Sequence, residues 1–505
     1  MNACLNKKPM LLGIPIQLMI LLLTMGAVSF LALGSLQIIL VCFAVYIFAR
    51  IIYWYEPLFF IFLSSYLNLS DLNVSTHKSV NSKPFSDNLQ WQRIVESPGP
   101  GIILQNTDGS FQSTYLVKGI DFLSEPLPEI YIKLKSLNLG LKSLAEYAVT
   151  IFWELKKTKC TPEDDFRVPR LKDLPFALDL VQKENLLADS GLFMNEYFLT
   201  ISYKPEPVDK KIFKLANFFV KSEQKKQPHS QEQDIEKFNG LLGKFYNTVC
   251  SHLELTALNQ VQTARYLHSC ISTKVFNPDL FESDSSDWSK HLPDQSLYKG
   301  LNPILGEKFI KPIGIKQFPT DLNSKMRNEI GRLPFELRWI IRADLYKQDK
   351  TQKIVRNKKI TWANSSIKIQ SIIASLFTGS IEDVTEKFES NMADDCQDIL
   401  DDIKENKFAL SNVSSTIIVM DKDEGTAIEQ SEEITKILEN SGLTSCCEDL
   451  NAMQGFLSSI PGTIHVNPRQ FLLTTQNITH SLLPLSSPWG GSPGQDCLFI
   501  AKGMN

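Results

Sequence analysis

The residues able to do chemistry are many in this chain, and few of them stand at spacings that chemistry requires. A phosphate-cradling loop needs GxxxxGK followed by Ser or Thr, so that backbone N–H groups hold the phosphates, the Lys reaches them and the hydroxyl holds Mg²⁺. Gly243-Lys244 is the one Gly-Lys pair, but Phe245 follows it and Phe238 stands where the earlier Gly belongs. Gly99-Pro100-Gly101 opens like a dinucleotide fingerprint, yet Leu104 occupies the third glycine position and a strand pattern follows where a helix is needed. Gly490, Gly491 and Gly494 precede no Lys-Ser or Lys-Thr and read as a turn or linker. The seven His are dispersed and form no HExxH or Cys/His cluster, so no metal site is predicted. Asp394, Asp395, Asp398, Asp401 and Asp402 share a predicted helix and read as a solvated acidic face before paired catalytic carboxylates. Lys350, Lys353, Arg356, Lys358 and Lys359 form a basic run ending near Trp362, read as a solvated face or exposed loop, with partner or nucleic-acid contact as the alternative. Arg338 and Arg342, flanking Trp339, suit fold-anchoring pairs with carboxylates better than catalysis.

The elements that must position these residues fit a large chain of 505 residues, 43% hydrophobic and 21% charged. That is enough for several domains and a sizeable core. A net charge of −4 argues against a dedicated nucleic-acid binder. Nine scattered Cys, with no CxxC and only Cys446-Cys447 adjacent, read as reduced thiols.

Between Lys8 and Arg50 no charged residue occurs. A membrane helix needs about 20 apolar residues, so the run predicts two spans, about 10–30 and 36–53, turning at Ala32, Gly34 and Ser35. Lys7, Lys8 and Arg50 lie at the outer ends, which puts both ends in the cytoplasm, and Tyr53, Trp54 and Tyr55 suit the membrane–water interface. A cleaved signal peptide is the rival reading, opposed by the length of the run and the lack of a small-x-small site.

Residues 68–96 read as a polar linker. Asn106-Thr107-Asp108-Gly109 between two alternating runs, Ile102–Gln105 and Ser110–Lys118, predicts a hairpin. Beyond it the pattern predicts a helix over 127–147, strands over 148–155 and 193–203, helix over 207–260 broken by the polar stretch 222–233, a strand over 414–420 and a helix over 426–439 built on Ile428, Ile434, Ile437 and Leu438. The fold class is an α+β soluble domain preceded by an N-terminal α-helical transmembrane hairpin. No repeat appears at solenoid periods.

An ordered set of short patterns carries a resemblance. Lys118-Gly119-Ile120-Asp121 follows the hairpin, then come Gly191-Leu192-Phe193 with Glu196-Tyr197-Phe198-Leu199-Thr200, and Asn302-Pro303-Ile304-Leu305-Gly306. Phe318-Pro319, Pro334 with Arg338-Trp339 and Arg342, and Ser459-Ile460-Pro461-Gly462 with Asn467-Pro468-Arg469 continue it, and Trp489-Gly490-Gly491 closes it. Together they resemble the CagE/TrbE/VirB family of bacterial type IV secretion and conjugation ATPases over about residues 97–491. Lys8-Pro9, Gly13-Ile14-Pro15 and Glu56-Pro57-Leu58-Phe59-Phe60 resemble the small TrbD-type membrane component, so 1–67 looks like a TrbD-like segment fused ahead, with 492–505 a tail.

The resemblance implies a place at the bacterial inner membrane, the body on its cytoplasmic side, and other type IV secretion components as partners. It implies that ATP and Mg²⁺ belong to a C-terminal domain missing from this chain, which is then a structural or docking part. Its motor would be encoded on a separate ATPase chain or lost by truncation. Gly191, Phe193, Pro334, Arg338, Trp339, Arg342, Pro461, Gly462, Arg469, Trp489 and Gly490 are the family-motif residues, with structural or partner-binding roles expected and no catalytic, cofactor or metal residue.

Overall fold

The computed structural model describes residues 85–95, 99, 101–122, 125–147, 149–160, 192–205, 231–278, 287–300, 302–319, 326–365, 387–464 and 466–485, with residues 10, 11, 14, 15 and 47. The expected membrane spans fall almost wholly outside them. At the start of the first span the backbone is extended, not helical: Met10–Leu11 pairs antiparallel with Ile14–Pro15. No helix among the described residues is long and apolar enough to cross a membrane. The expected linker gives way by residue 85, because Trp91 and Leu89 carry apolar surface that the body buries completely.

In chain order the strands and helices are β1 (Trp91–Val95), β2 (Ile103–Asn106), β3 (Phe111–Val117), α1 (Leu127–Leu144), β4 (Thr150–Cys160), β5 (Leu192–Tyr203), α2 (Gln231–Cys250) and β6 (Leu255–Ala257). Next come α3 (Gln260–Ile271), α4 (Trp288–His291), β7 (Leu297–Tyr298), β8 (Ile304–Leu305), β9 (Lys308–Gln317), α5 (Met326–Gly331) and β10 (Leu337–Leu345). Then follow α6 (Gln348–Ser365), α7 (Lys387–Lys404), β11 (Leu410–Asp421), α8 (Glu424–Asn440), β12 (Thr444–Cys447), α9 (Ala452–Ser458) and β13 (Phe471–Thr474).

The 13 strands form one sheet in the order β1-β2-β3-β5-β4-β10-β11-β9-β8-β7, with β6 on β3, β12 on β9 and β13 on β11. Its pairings are antiparallel, and they hide a duplication. From β3 to β6 the chain runs β-α-β-β-α-β in the spatial order β6-β3-β5-β4. From β9 to β12 it runs β-α-β-β-α-β again, in the order β12-β9-β11-β10. Each unit is a split β-α-β arrangement of the ferredoxin-like kind. The units meet through β4 and β10, from Leu337↔Lys157 to Asp344↔Thr150, which makes the sheet continuous about a pseudo-two-fold axis at this seam.

Both helix pairs lie on one face. α1 starts behind Pro126, with Glu129 in its first turn, and buries Ile130, Leu134, Leu137, Leu141 and Leu144 at helical spacing. A Cβ on Gly140 would stand 2.5 Å from Val249 Cγ2, so the missing side chain lets α2 approach. α8 is capped by Asp423, which accepts from Thr426 N–H. It buries Ala427, Ser431, Ile434 and Leu438 and turns Ile428 outward, one position away from the apolar set read from sequence. The opposite face is covered by α3, α4, α9 and the turn after α9 through Leu267, Ile271, Trp288, Phe456 and Ile460. α3 begins in a reciprocal Asn259/Gln262 capping box. α6 and α7 form a hairpin inserted between β10 and β11, with its own small core of Val355, Trp362, Cys396, Leu400 and Ile403.

Candidate functional site

The motif residues gather at the seam. Alternation along β10 sends Trp339 and Ile341 to the helix-pair face and Arg338 and Arg342 to the other, where β4 presents Phe152 and Glu154. Arg338 donates from Nε to Glu154 Oε1 at 2.6 Å and from Nη2 to Oε2 at 3.1 Å, a two-pronged pair in which both side chains are buried. Two further N–H groups donate to the carbonyls of Cys270 (3.1 Å) and Ser459 (3.3 Å). Tyr266 Oη donates to Glu154 Oε2 at 2.8 Å, and its ring stacks on Phe198 at 4.2 Å between centroids. Burial raises the Tyr266 phenol well above its ordinary range, and the Glu154 charge raises it further. Burial also pushes the Cys270 thiol up to about 12, against the pull of Arg338, so it is no nucleophile.

Arg342 does a second job on the same face. Its Nη1 donates to the carbonyls of Thr463 (3.1 Å) and Val466 (2.6 Å), and its Nη2 to that of Ile464. It also pairs with Asp344 at 3.2 Å and lies over the Phe152 ring. Trp91 Nε1 donates to Pro461 O at 2.8 Å. The irregular stretch after α9 is buried, and a buried backbone must have its carbonyls satisfied. Here side chains from the sheet satisfy five of them. Gly462 makes the bend at φ +91°, and a Cβ there would stand 2.5 Å from Gln112 Oε1. Farther along, Arg469 forms a buried two-pronged pair with Glu448, laid across Gly314 of β9, where a Cβ would come within 2.3 Å of Glu448 Oε1.

The same segment then crosses to the helix-pair face. β13 pairs with β11, and residues 475–485 fill the seam from behind. Trp153 Nε1 donates to Pro484 O at 2.9 Å, Arg327 Nη1 to Leu483 O at 3.2 Å, and Ile120 N–H to Leu485 O at 2.6 Å. Burial lowers the Arg327 guanidinium to about 10. Residues 452–485 therefore form a strap gripping both faces of β4 and β10.

Of the residues expected from sequence, Arg338, Trp339, Arg342, Pro461, Gly462 and Arg469 come together in or beside this clamp. Phe193 lies apart, its ring 5.2 Å from Lys157 Nζ. Pro334 is exposed in the turn before β10, between buried Leu333 and Phe335. Gly191, Trp489 and Gly490 lie outside the described residues. Sequence reasoning passed over Glu154, Tyr266, Trp91, Trp153 and Glu448. The signal for Glu154 was present: a lone acid in the apolar strand Ile151-Phe152-Trp153-Glu154-Leu155 needs a cation. The charged groups of the clamp face one another, and among the described residues no cluster of His, Cys, Asp or Glu could hold a metal.

The comparisons with known proteins fall on both units. Residues 101–211 match the family described as type IV secretion system ATPase VirB4/TrbE, N-terminal domain. Residues 376–469 match the CagE, TrbE, VirB family, component of type IV transporter system. Both matches point to the TrbE/VirB4 family of type IV secretion components. Among curated relatives, the chain is 27% identical over 214 residues to the second part of a probable conjugal transfer protein TrbE of Sinorhizobium fredii. It is 24% identical over 213 residues to a conjugal transfer protein TrbE of Rhizobium radiobacter. Each match covers 42% of this chain and 31% or 25% of the relative, so the chain matches less than a third of those proteins' length.

Proposed function

We propose that the chain is a membrane-tethered docking component of a bacterial type IV secretion or conjugal-transfer apparatus, without catalysis of its own. It works at the cytoplasmic face of the inner membrane, with other components of the apparatus as partners. The observation that carries this reading is that two family matches fall on a body whose motif residues are spent on holding two β-α-β-β-α-β units together. Motif residues used in this way favour a rigid platform. The uncharged stretch between Lys8 and Arg50 supports the tether.

A second reading keeps the chain in an ATPase: the P-loop, with ATP and Mg²⁺, sits on a separate polypeptide of the same complex. It is favoured by the family name together with the absence of GxxxxGK[ST] from these 505 residues. Two measurements test the proposal. The full chain, purified in detergent through successive columns, is expected to lose ATP hydrolysis progressively; a constant specific activity defeats the non-catalytic reading. Affinity capture from a host carrying the whole transfer system is expected to retain other apparatus components. Capture of none of them defeats the docking role.

A further inference from the structure

Helix α1 turns an apolar side to solvent. Of its seven exposed residues five are apolar, Leu127, Pro128, Tyr131, Ile132 and Leu139, against Glu129 and Lys135. Leu127 is 80% exposed, Tyr131 59% and Ile132 45%. Tyr131, Lys135 and Leu139 follow one another at i, i+4, so they form one stripe with Ile132 at its side. The inner side of α1 is already occupied, with Ile130, Leu134, Leu137, Leu141 and Leu144 buried. Its neighbour α2 turns out only polar residues and Gly240, with Glu236, Lys237 and Lys244 among them, as a surface helix should. A helix that is apolar on both sides is one that is covered.

The end of the strap lies against this helix. The His480 ring is 6.2 Å from that of Tyr131, and Leu485 O accepts from the N–H of Ile120, which shortly precedes α1, at 2.6 Å. The chain therefore leaves the described body beside the start of α1. Residues 486–505 follow, with Trp489, Leu498, Phe499 and Ile500 and only two charged residues, Asp496 and Lys502. From Leu485 to Leu498 is 13 residues (498 − 485), a reach of up to about 43 Å, whereas Leu139 stands about 18 Å along α1 from Leu127. Trp489 follows Leu485 closely enough to meet Leu127 and Tyr131, and Asp496 supplies the charge opposite to that of Lys135.

We propose that residues 486–505 are the cover of α1, with Trp489 on Leu127 and Tyr131, Leu498, Phe499 and Ile500 on Ile132 and Leu139, and Asp496 at Lys135. The strap then holds the first unit by its outer helix as well as at the seam. The inference concerns α1 alone and holds whether or not the secretion reading does.

The test puts the photo-crosslinking residue benzoylphenylalanine in place of Ile132 or Leu139 in the full chain in detergent. The control puts it in place of Glu232, at the end of α2 remote from Leu127, since α2 runs antiparallel to α1. All three positions are exposed, so the replacements leave the core intact. Cross-links within one chain from positions 132 and 139 to residues 486–505 are expected by mass spectrometry, and none from 232. Trp489→Ser/Phe499→Asp is expected to lower their yield about tenfold or more, the factor that goes with losing a large buried apolar side chain. Cross-links to other segments, to detergent alone, or as strong from 232 would overturn the proposal. So would a yield that the double variant leaves unchanged, or cross-links joining isotope-labelled to unlabelled chains, the mark of a second copy on this face.

Discussion

Removing the charge of Glu154 while keeping its shape tests the clamp most directly. In Glu154→Gln the Arg338 guanidinium stays buried without its counter-charge, held by the carbonyls of Cys270 and Ser459 and the one remaining side-chain oxygen, while the new amide N–H₂ replaces the other acceptor. An uncompensated buried charge costs about 3–5 kcal/mol. In a body of this size that lowers Tm by roughly 5–8 °C. The companion variant Glu154→Leu/Arg338→Met removes both charges and leaves two carbonyls short of a donor and the Tyr266 hydroxyl short of an acceptor, at about 1–3 kcal/mol apiece. Its cost is expected to fall below the sum of the two single changes by about 2 kcal/mol or more. Urea unfolding followed by tryptophan fluorescence reads wild type, Glu154→Gln, the single variants Glu154→Leu and Arg338→Met, and the double variant, since Trp91, Trp153 and Trp339 are buried in or beside the clamp. If Glu154→Gln unfolds within about 1 kcal/mol of wild type, or the double-mutant cycle closes without coupling, the pair is not sealed from water and the clamp argument fails.

Three further outcomes follow from other contacts. Gly462→Ala puts a Cβ at φ +91° and 2.5 Å from Gln112 Oε1, and is expected to cost about 1–3 kcal/mol in the same urea assay. Burial lowers the Lys157 ammonium to about 8 while its Nζ donates to Gly331 O at 2.6 Å. Because the unfolded chain then binds more protons between pH 8 and the ordinary lysine value, wild type gains stability relative to Lys157→Met as pH rises through that window; a difference that stays flat with pH contradicts it. Native Cys270, with its thiol raised to about 12 and no exposed surface, is expected to resist a thiol reagent that modifies the partly exposed Cys250 and Cys446, and to react only on unfolding.

Local structure was legible wherever a periodic pattern met a boundary residue. The hairpin around Asn106–Gly109 is there, with Gly109 at φ +79°, and the predicted strand over 193–203 is observed as Leu192–Tyr203. Strand β11 starts before the predicted 414–420 because its first residues, Leu410 to Val413, pair with β13, a partner that lies far away in sequence. The basic run at 350–359 is a helix rather than an exposed loop, since Val355 and Trp362 bury one side of it. Arg338 and Arg342 were recognisable as anchors, but their receptors were not. Arg342 binds backbone carbonyls, and a carbonyl carries no residue-type signature. The duplication was illegible for a related reason: the two units share the order of their strands, and insertions of different length separate equivalent strands.

The seam has a consequence during synthesis. The first unit's elements are complete once the ribosome has passed Ala257, yet the open side of β4 waits for β10. From Cys160 to Leu345 is 185 residues (345 − 160), which takes about 10–40 s at about 5–20 residues per second. For that interval a long strand offers unpaired N–H and C=O groups to any neighbouring nascent chain, the circumstance that invites edge-to-edge pairing. The strap at 452–485 is translated later still. Until β10 arrives, the open edge of β4 is the place where two nascent copies are most exposed to mispairing.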